Sequence, residues 1–505
     1  MEFLGEHEFL RESLNGSVLP QDRGEKGMVC MHTKWKKNLR RSSLAALITL
    51  ALTGSAFAMP SGGAIEQGNV AVSEGNLADV GNGATITTQA NSIINWNDFS
   101  VGAGETLNFN TAAGALLNRV TSDKVSELLG TMTQTGANPL FVVNPNGIHI
   151  GGNATIDAAN ITLSTLAMST ADFNNAASGR NYALAQSDKG VKAVTIDGGA
   201  KIGVGNTLNI YGGKVVVADG VVFNAGHENG QLAEVQIQAL HDLKQGHNDG
   251  KTIAGDYNFT TDNSMDMHGT LEVKGKTNTN ISGYTVNLDG GKIQGVKGES
   301  SFDVIAAQNR TFDDSADRVT ATETNTIQAN DFFVKGAKRL TLGGGAVNLH
   351  RGEVEADRVE VQAFSSRNLI GAERAHLVLK NDEKNKIVIS GTDEKKTEIR
   401  DNGTRVHGGN VFVDKNTSIG GILYDWNARP IDSQYIAADV DADYANHVYS
   451  YVMKPGQDLA LHGDVGSSAD VYGYNVNLDG AVGTAKRIVA GTGAQLGQEF
   501  AAQST

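Results

Sequence analysis

The residues best placed to do chemistry in this chain are carboxylates. Asp439, Asp441 and Asp443 alternate, so on a strand all three would share one face and could invite a hard cation such as calcium. A calcium loop of the EF-hand kind needs a sharp-turn Gly and a closing bidentate Glu, and Tyr444 and Ser450 stand at those positions. The three aspartates therefore read as a solvated acidic loop. Gly343-Gly344-Gly345 lacks the Gly-x-Asp continuation of calcium-binding β-roll repeats. His227-Glu228 has no second His at the zinc-protease spacing and reads as an exposed turn pair. Gly203-x-Gly205 is followed by a strand pattern, so it is no dinucleotide fingerprint. Paired carboxylates can cleave polysaccharides as acid and base, but the sequence assigns no pair to a shared groove. No catalytic, cofactor-binding or metal residue is expected. Asn-x-Ser/Thr triplets such as Asn153-Ala154-Thr155 are common by chance in an Asn-rich chain.

A different kind of site is written at Asn144-Pro145-Asn146-Gly147-Ile148. Pro at the second turn position fixes φ, Asn side chains cap neighbouring donors, and Gly supplies the permissive backbone. The motif is first of all a turn. Ahead of it stand Ile93-Ile94-Asn95-Trp96-Asn97-Asp98-Phe99 and Leu117-Asn118-Arg119-Val120-Thr121-Ser122, and behind it Ile156 to Leu166, which ends in Ser164-Thr165-Leu166.

The elements that must hold this turn are strands. Short alternating runs such as Thr207 to Tyr211, Lys214 to Val217, Thr270 to Val273, Arg339 to Leu342, Lys386 to Ile389 and Asn410 to Val413 are bounded by Gly and Asn. No proline occurs between Pro145 and Pro430, so backbone donors survive along a long stack of ladders. Two stretches look like copies: His268-Gly269 leads to Tyr284-Thr285-Val286-Asn287-Leu288-Asp289-Gly290, and His462-Gly463 leads to Tyr474-Asn475-Val476-Asn477-Leu478-Asp479-Gly480. Repetition with inserted loops suits a solenoid. The expected fold is all-β, a right-handed parallel β-helix of about 20–25 residues per coil with short extra-helical β-elements, rather than a β-sandwich array. Strand spacing is irregular. Lys124 to Leu129 could form a turn or two of helix, but the surrounding alternation favours a short excursion, and the charged stretches at Asp313-Asp314 and Lys384 read as projecting loops.

Composition agrees. The 505 residues include 61 Gly and 6 Pro, with 40% hydrophobic and 6% aromatic residues, enough apolar material for a core. The net charge of −14 argues against a nucleic-acid surface. Lys34, Lys36, Lys37, Arg40 and Arg41 precede the short apolar run Leu44 to Leu52, and Ala56-Phe57-Ala58 sets small residues before the bond between Ala58 and Met59. This is a secretory signal peptide, about half as long as a membrane span requires. Met1, Met28 or Met31 could start translation. The only Cys, Cys30, lies in that leader, so disulfides and thiolate metal sites are excluded from the mature chain.

In their order, the Asn144 turn and its flanking segments resemble the secretion (haemagglutination-activity) domain of two-partner-secretion exoproteins, the filamentous-haemagglutinin-like family and especially its high-molecular-weight adhesin branch. The resemblance implies three parts: leader and signal peptide (1–58), secretion domain (59–245) and a β-helical passenger (246–505). It implies that Asn144, Pro145, Asn146, Gly147 and Ile148, with Asn95, Trp96, Asn118 and Arg119, shape a surface recognised by the periplasmic POTRA domains of a dedicated outer-membrane transporter. A second Asn-Pro motif upstream is usual in the family, and Asn138-Pro139-Leu140 echoes it in part. The implied product is secreted or surface-exposed on a Gram-negative-type bacterium. It is an adhesin for a host-cell or matrix receptor, with a haem-protein-capturing or cytolytic exoprotein as the alternative and a polysaccharide-acting enzyme less favoured.

Overall fold

The computed structural model describes residues 59–497, apart from 228–230, 249–250, 308, 314–317, 323–324, 371–375, 421–432, 444–447, 467–468, 482–484 and 492–493. The leader and Ala58 lie outside the described residues, as do Glu228, Asp314, Pro430 and Tyr444; Met59 is buried.

The described chain winds as a parallel β-helix with three strand-bearing faces. Thr85–Thr88, Thr106–Asn110 and Thr131–Thr135 begin the first face, and Ser92–Trp96, Leu116–Val120 and Leu140–Val143 begin the second. Ser126–Leu128, Ile148–Ile150 and Ala193–Ile196 begin the third, a twelve-stranded sheet. Long strands such as Thr155–Ser164 and Lys201–Gly212 run from the first face into the second through a register shift at Ala158/Asn160. Alternation sends every second side chain inward. Leu107, Met132, Ile156, Ile202, Phe223 and Leu271 thereby stack as one buried column through successive coils. Burying each is worth about 1.5–3 kcal/mol. The first coil is closed by antiparallel strands, Ala64–Gln67 on Ser92–Trp96 and Val70–Val72 on Thr85–Thr88, which covers part of an otherwise open sheet end.

The irregular strand spacing has a simple origin. Along the first face Lys201 pairs with Val222, Val222 with Thr270, Thr270 with Lys292, Lys292 with Phe333 and Phe333 with Glu353. The steps alternate between about 20 and about 40–50 residues, so the repeat is a pair of coils. The longer coil of each pair carries an insertion. After the first, the insertions are hairpins, and their strands join into one ten-stranded antiparallel sheet lying over the second face. Two further apolar clusters form beneath it, one around Phe141, Tyr211 and Tyr257 and one around Phe364, Ile436 and Tyr472.

That sheet corrects two expectations. Asp313 ends the strand Asn309–Asp313 rather than lying in a loop, whereas Lys384 does sit in an exposed turn, the one returning from His376–Lys380 to the third face. The aspartates lie on the strand Asp439–Asp443, not in a solvated loop. Asp439 is buried and accepts from Lys454 Nζ at 2.7 Å, while Asp441 bonds His376 Nε2. Basic side chains of the same sheet, and Lys454 just past its strand Val448–Val452, meet these carboxylates. At Lys124 to Leu129, Ser126–Leu128 is neither helix nor excursion but a strand paired into the third face. The helix among the described residues is Thr170–Ala177, which the sequence reading missed. Its signal was present: Ser169 caps it by accepting from Asp172 N, the Ser-x-x-Asp spacing, and Phe173 packs edge-on to Phe141.

Candidate functional site

The motif leaves the second face at Val143, which pairs with Arg119 of the coil before it. Asn144 is fully buried, and its side chain ties two coils together. Its Nδ2 donates to Lys124 O and Ser126 Oγ, both at 2.9 Å, while its Oδ1 accepts from the Asn146 backbone N–H and side-chain amide. The turn closes with Gly147 N donating to Asn144 O at 3.1 Å. Gly147 has φ of +132°, where an L side chain is strained although its Cβ would meet Val125 and Ala193 O only at ordinary contact distances of 3.6–3.7 Å. Asn146 Nδ2 reaches back to Ser122 O at 2.8 Å, and its Oδ1 accepts from Lys189 Nζ at 2.7 Å. Lys189 also binds Ser122 O and Asp123. Ile148 then enters the third face, buried between Ser126 and Val194.

The other motif residues divide by facing. Trp96 and Asn118 point inward and are fully buried, with Trp96 Nε1 donating to Asn118 Oδ1 at 3.0 Å and Trp96 edge-on to Phe99. Asn95 and Arg119 point outward. Arg119 Nε donates to Asn95 Oδ1, and both side chains converge on Glu66 of the closing strand, joined there by the Thr170 hydroxyl. Those donors, led by Thr170, hold the Glu66 carboxyl down to about 2. Arg119 Nη1 also donates to Met168 O. One carboxylate thus joins the closing strand, two coils and the helix.

No local pattern announces Glu66, Thr170 or Lys189, because each arrives from a distant part of the chain. The same holds for a ladder on the third face in which His149 bridges Glu127 and Asp197, with Nε2 2.9 Å from Asp197. The two carboxylates, Glu127 foremost, raise the imidazole to about 9. His227 Nε2 contacts Asn206 Oδ1 at 3.0 Å. Among the described residues, no three His, Cys, Asp or Glu side chains are grouped as metal ligands.

This arrangement binds and braces. It contains rigid turns and interlocked amides around the first coils, and the polar groups named are engaged with one another. Residues 56–279, which include every motif residue above, match the family described as TPS secretion domain. This segment is similar to TPS secretion domains. The heme/hemopexin-binding protein of Haemophilus influenzae is 28% identical over 226 residues, covering 43% of this chain and 22% of that protein. Filamentous hemagglutinin of Bordetella pertussis is 31% identical over 146 residues, 25% of this chain and 4% of its own length. The chain therefore spans less than a quarter of either relative. The crystal structure of the HMW1 secretion domain from Haemophilus influenzae aligns with a TM-score of 0.50 at 17% identity, covering 85% of this chain and all of that one. That likeness shows a common fold.

Proposed function

We propose that the chain is an exoprotein exported through the periplasm by a dedicated outer-membrane transporter and displayed on, or released from, a Gram-negative cell as an adhesin. The observation that supports this reading is the match of residues 56–279 to the TPS secretion domain. In it, Asn144 to Ile148, with Asn95, Trp96, Asn118 and Arg119, form the surface that the transporter's POTRA domains read before folding. Once outside, the same residues lock the first coils, and later coils add one by one to that template. Secretion thereby draws on folding free energy where no nucleotide is available. Residues 59–245 serve export and 246–505 serve binding. No catalytic role is proposed, and the acidic charge of −14 disfavours nucleic acid as a partner.

The test is co-expression with the cognate transporter. Deleting residues 250–490 is expected to leave secretion intact and abolish binding to epithelial cells or matrix. Loss of secretion in that variant, or full binding by the 59–245 fragment, would overturn the division. A second reading, capture of a haem-carrying protein, is favoured by the heme/hemopexin-binding relative, whose similarity reaches across 43% of this chain. Retention of haem-loaded protein by cells that show no epithelial binding would select it.

A further inference from the structure

A polar layer interrupts the two apolar clusters under the antiparallel sheet. On the second face Asp303, Thr341, Glu360, Arg405 and Gln434 stand in register on successive coils, and in the adjoining column Gln362 pairs with His407. One apolar cluster ends near Ala307 with Ile305 packed against it, and the other begins at Phe364. Outward positions between them carry charge instead of packing.

The charges do not balance. Arg339 Nη2 donates to both carboxylate oxygens of Asp303 at 3.1 and 2.9 Å, and Arg358 pairs with Glu360 at 2.7 Å. Two further guanidinium groups act on Glu360: Arg405 from the next coil and Arg367 from the strand Ser366–Ile370 of the covering sheet. Four guanidinium groups thus face two carboxylates. The Nε atoms of Arg339, Arg367 and Arg405 are buried and meet no partner among the described residues. Fixed cations without counter-charge in a half-dry layer are costly.

His407 supplies an independent sign. Its side chain is 6% exposed, yet both ring nitrogens lack a partner among the described residues, as does Oε1 of the adjacent Gln362. Buried imidazoles are ordinarily bonded on at least one side. Burial, helped by Arg405, holds this ring down to about 3, so at neutral pH it offers one N–H and one acceptor.

We propose that the layer formed by Arg339, Arg367, Arg405 and His407 is a binding site for a small multivalent oxyanion, which enters beside Glu360 and accepts from the unpartnered Nε–H groups of these arginines and from the imidazole. Arginine forks suit two-oxygen recognition of such an anion. Inorganic phosphate offers several acceptor oxygens and, as its monohydrogen form, a donor for Gln362 Oε1. The site is independent of the export reading, since it lies beyond residue 279.

The experiment uses the whole mature chain, titrated with inorganic phosphate by calorimetry and followed by thermal unfolding, with ionic strength held constant by chloride. Saturable binding and a rise in melting temperature are expected. Arg405→Gln and His407→Gln are each expected to weaken binding about tenfold or more, a change of about one unit in log Kd. Arg400→Gln, which removes an exposed guanidinium paired with Glu398 on the first face, is expected to bind as the parent does. Absence of saturable binding up to tens of millimolar, or undiminished binding by Arg405→Gln, would overturn the proposal. Should Arg405→Gln fail to fold, Arg405→Lys keeps the charge while removing the fork, and it must still weaken phosphate binding for the proposal to stand.

Discussion

The indole N–H of Trp96 and the amide oxygen of Asn118 meet at 3.0 Å in a fully buried position, one coil apart, and Asn118 Nδ2 continues toward Phe141 O at 3.4 Å in the coil beyond. A single asparagine therefore links three coils through the interior.

Asn118→Ala leaves the Trp96 N–H unpaired and opens a cavity. The expected loss is about 2–4 kcal/mol, read as a lower denaturant midpoint with an unchanged slope. Asn118→Leu refills the volume but leaves the N–H orphaned, so it should recover only part of that loss. Recovery to the parent midpoint would show that the hydrogen bond is dispensable.

Gly147→Val places a β-branched residue at a φ of +132°, and Asn146→Ile removes the bonds to Ser122 and Lys189. Strain of about 1–3 kcal/mol follows for the valine. Both variants are expected to accumulate as signal-processed protein in the periplasm. Asp441→Ala, at an exposed position of the antiparallel sheet, should reach the medium normally. Equal amounts of all three in the medium would remove the export role from the turn.

His149 is raised to about 9 by Glu127 and Asp197. The unfolded chain releases this proton near 6.5, so the bridge stabilises fully below that pH and is lost as pH rises through 9. Partial exposure and solvent screening reduce its worth to about 1–2 kcal/mol. His149→Gln should therefore be less stable than the parent at pH 6, with the gap closing by pH 10.

Asp401 behaves in the opposite sense for a carboxyl. Burial raises it to about 7, against the bonds from Thr404 and Gly403, and its Oδ1 has no partner among the described residues. Its folded state keeps the proton that the unfolded state releases near 3.9, so stability is highest below that pH and falls as pH climbs through 7. Asp401→Asn should unfold with the parent at pH 4 and resist unfolding by about 2–4 kcal/mol more at pH 8. Equal melting temperatures at pH 8 would show the carboxyl to be solvated.

The coils were legible because period-two alternation with Gly and Asn corners is a local signal, as in Thr270–Val273 and Asn410–Val413. The copied segments were legible too, and they repeat a bond as well as a pattern. His268 Nδ1 meets Asp289 O at 2.6 Å and His462 Nδ1 meets Asp479 O at 2.5 Å. The antiparallel sheet was not legible. Its strands, such as Asp439–Asp443, look like loops until its own hairpin supplies Lys454 and the preceding insertion supplies His376. The motif's turn chemistry could be read from Pro145 and Gly147, but its clasp by Lys189 could not, since nothing in local spacing connects residues so far apart.

The alternation of plain and inserted coils makes two different sheets commensurate. Each hairpin lends two strands to the antiparallel sheet for every two coils of the β-helix, and strands in either kind of sheet are spaced about 4.8 Å apart. The two stacks advance at one pitch, like meshed racks. Lengthening or shortening by a whole coil pair keeps every strand partnered. Removing one plain coil would slide the racks by a tooth and bare an unpaired edge, the usual seed of aggregation. Viable length variants of this β-helix are thus quantised in pairs of coils.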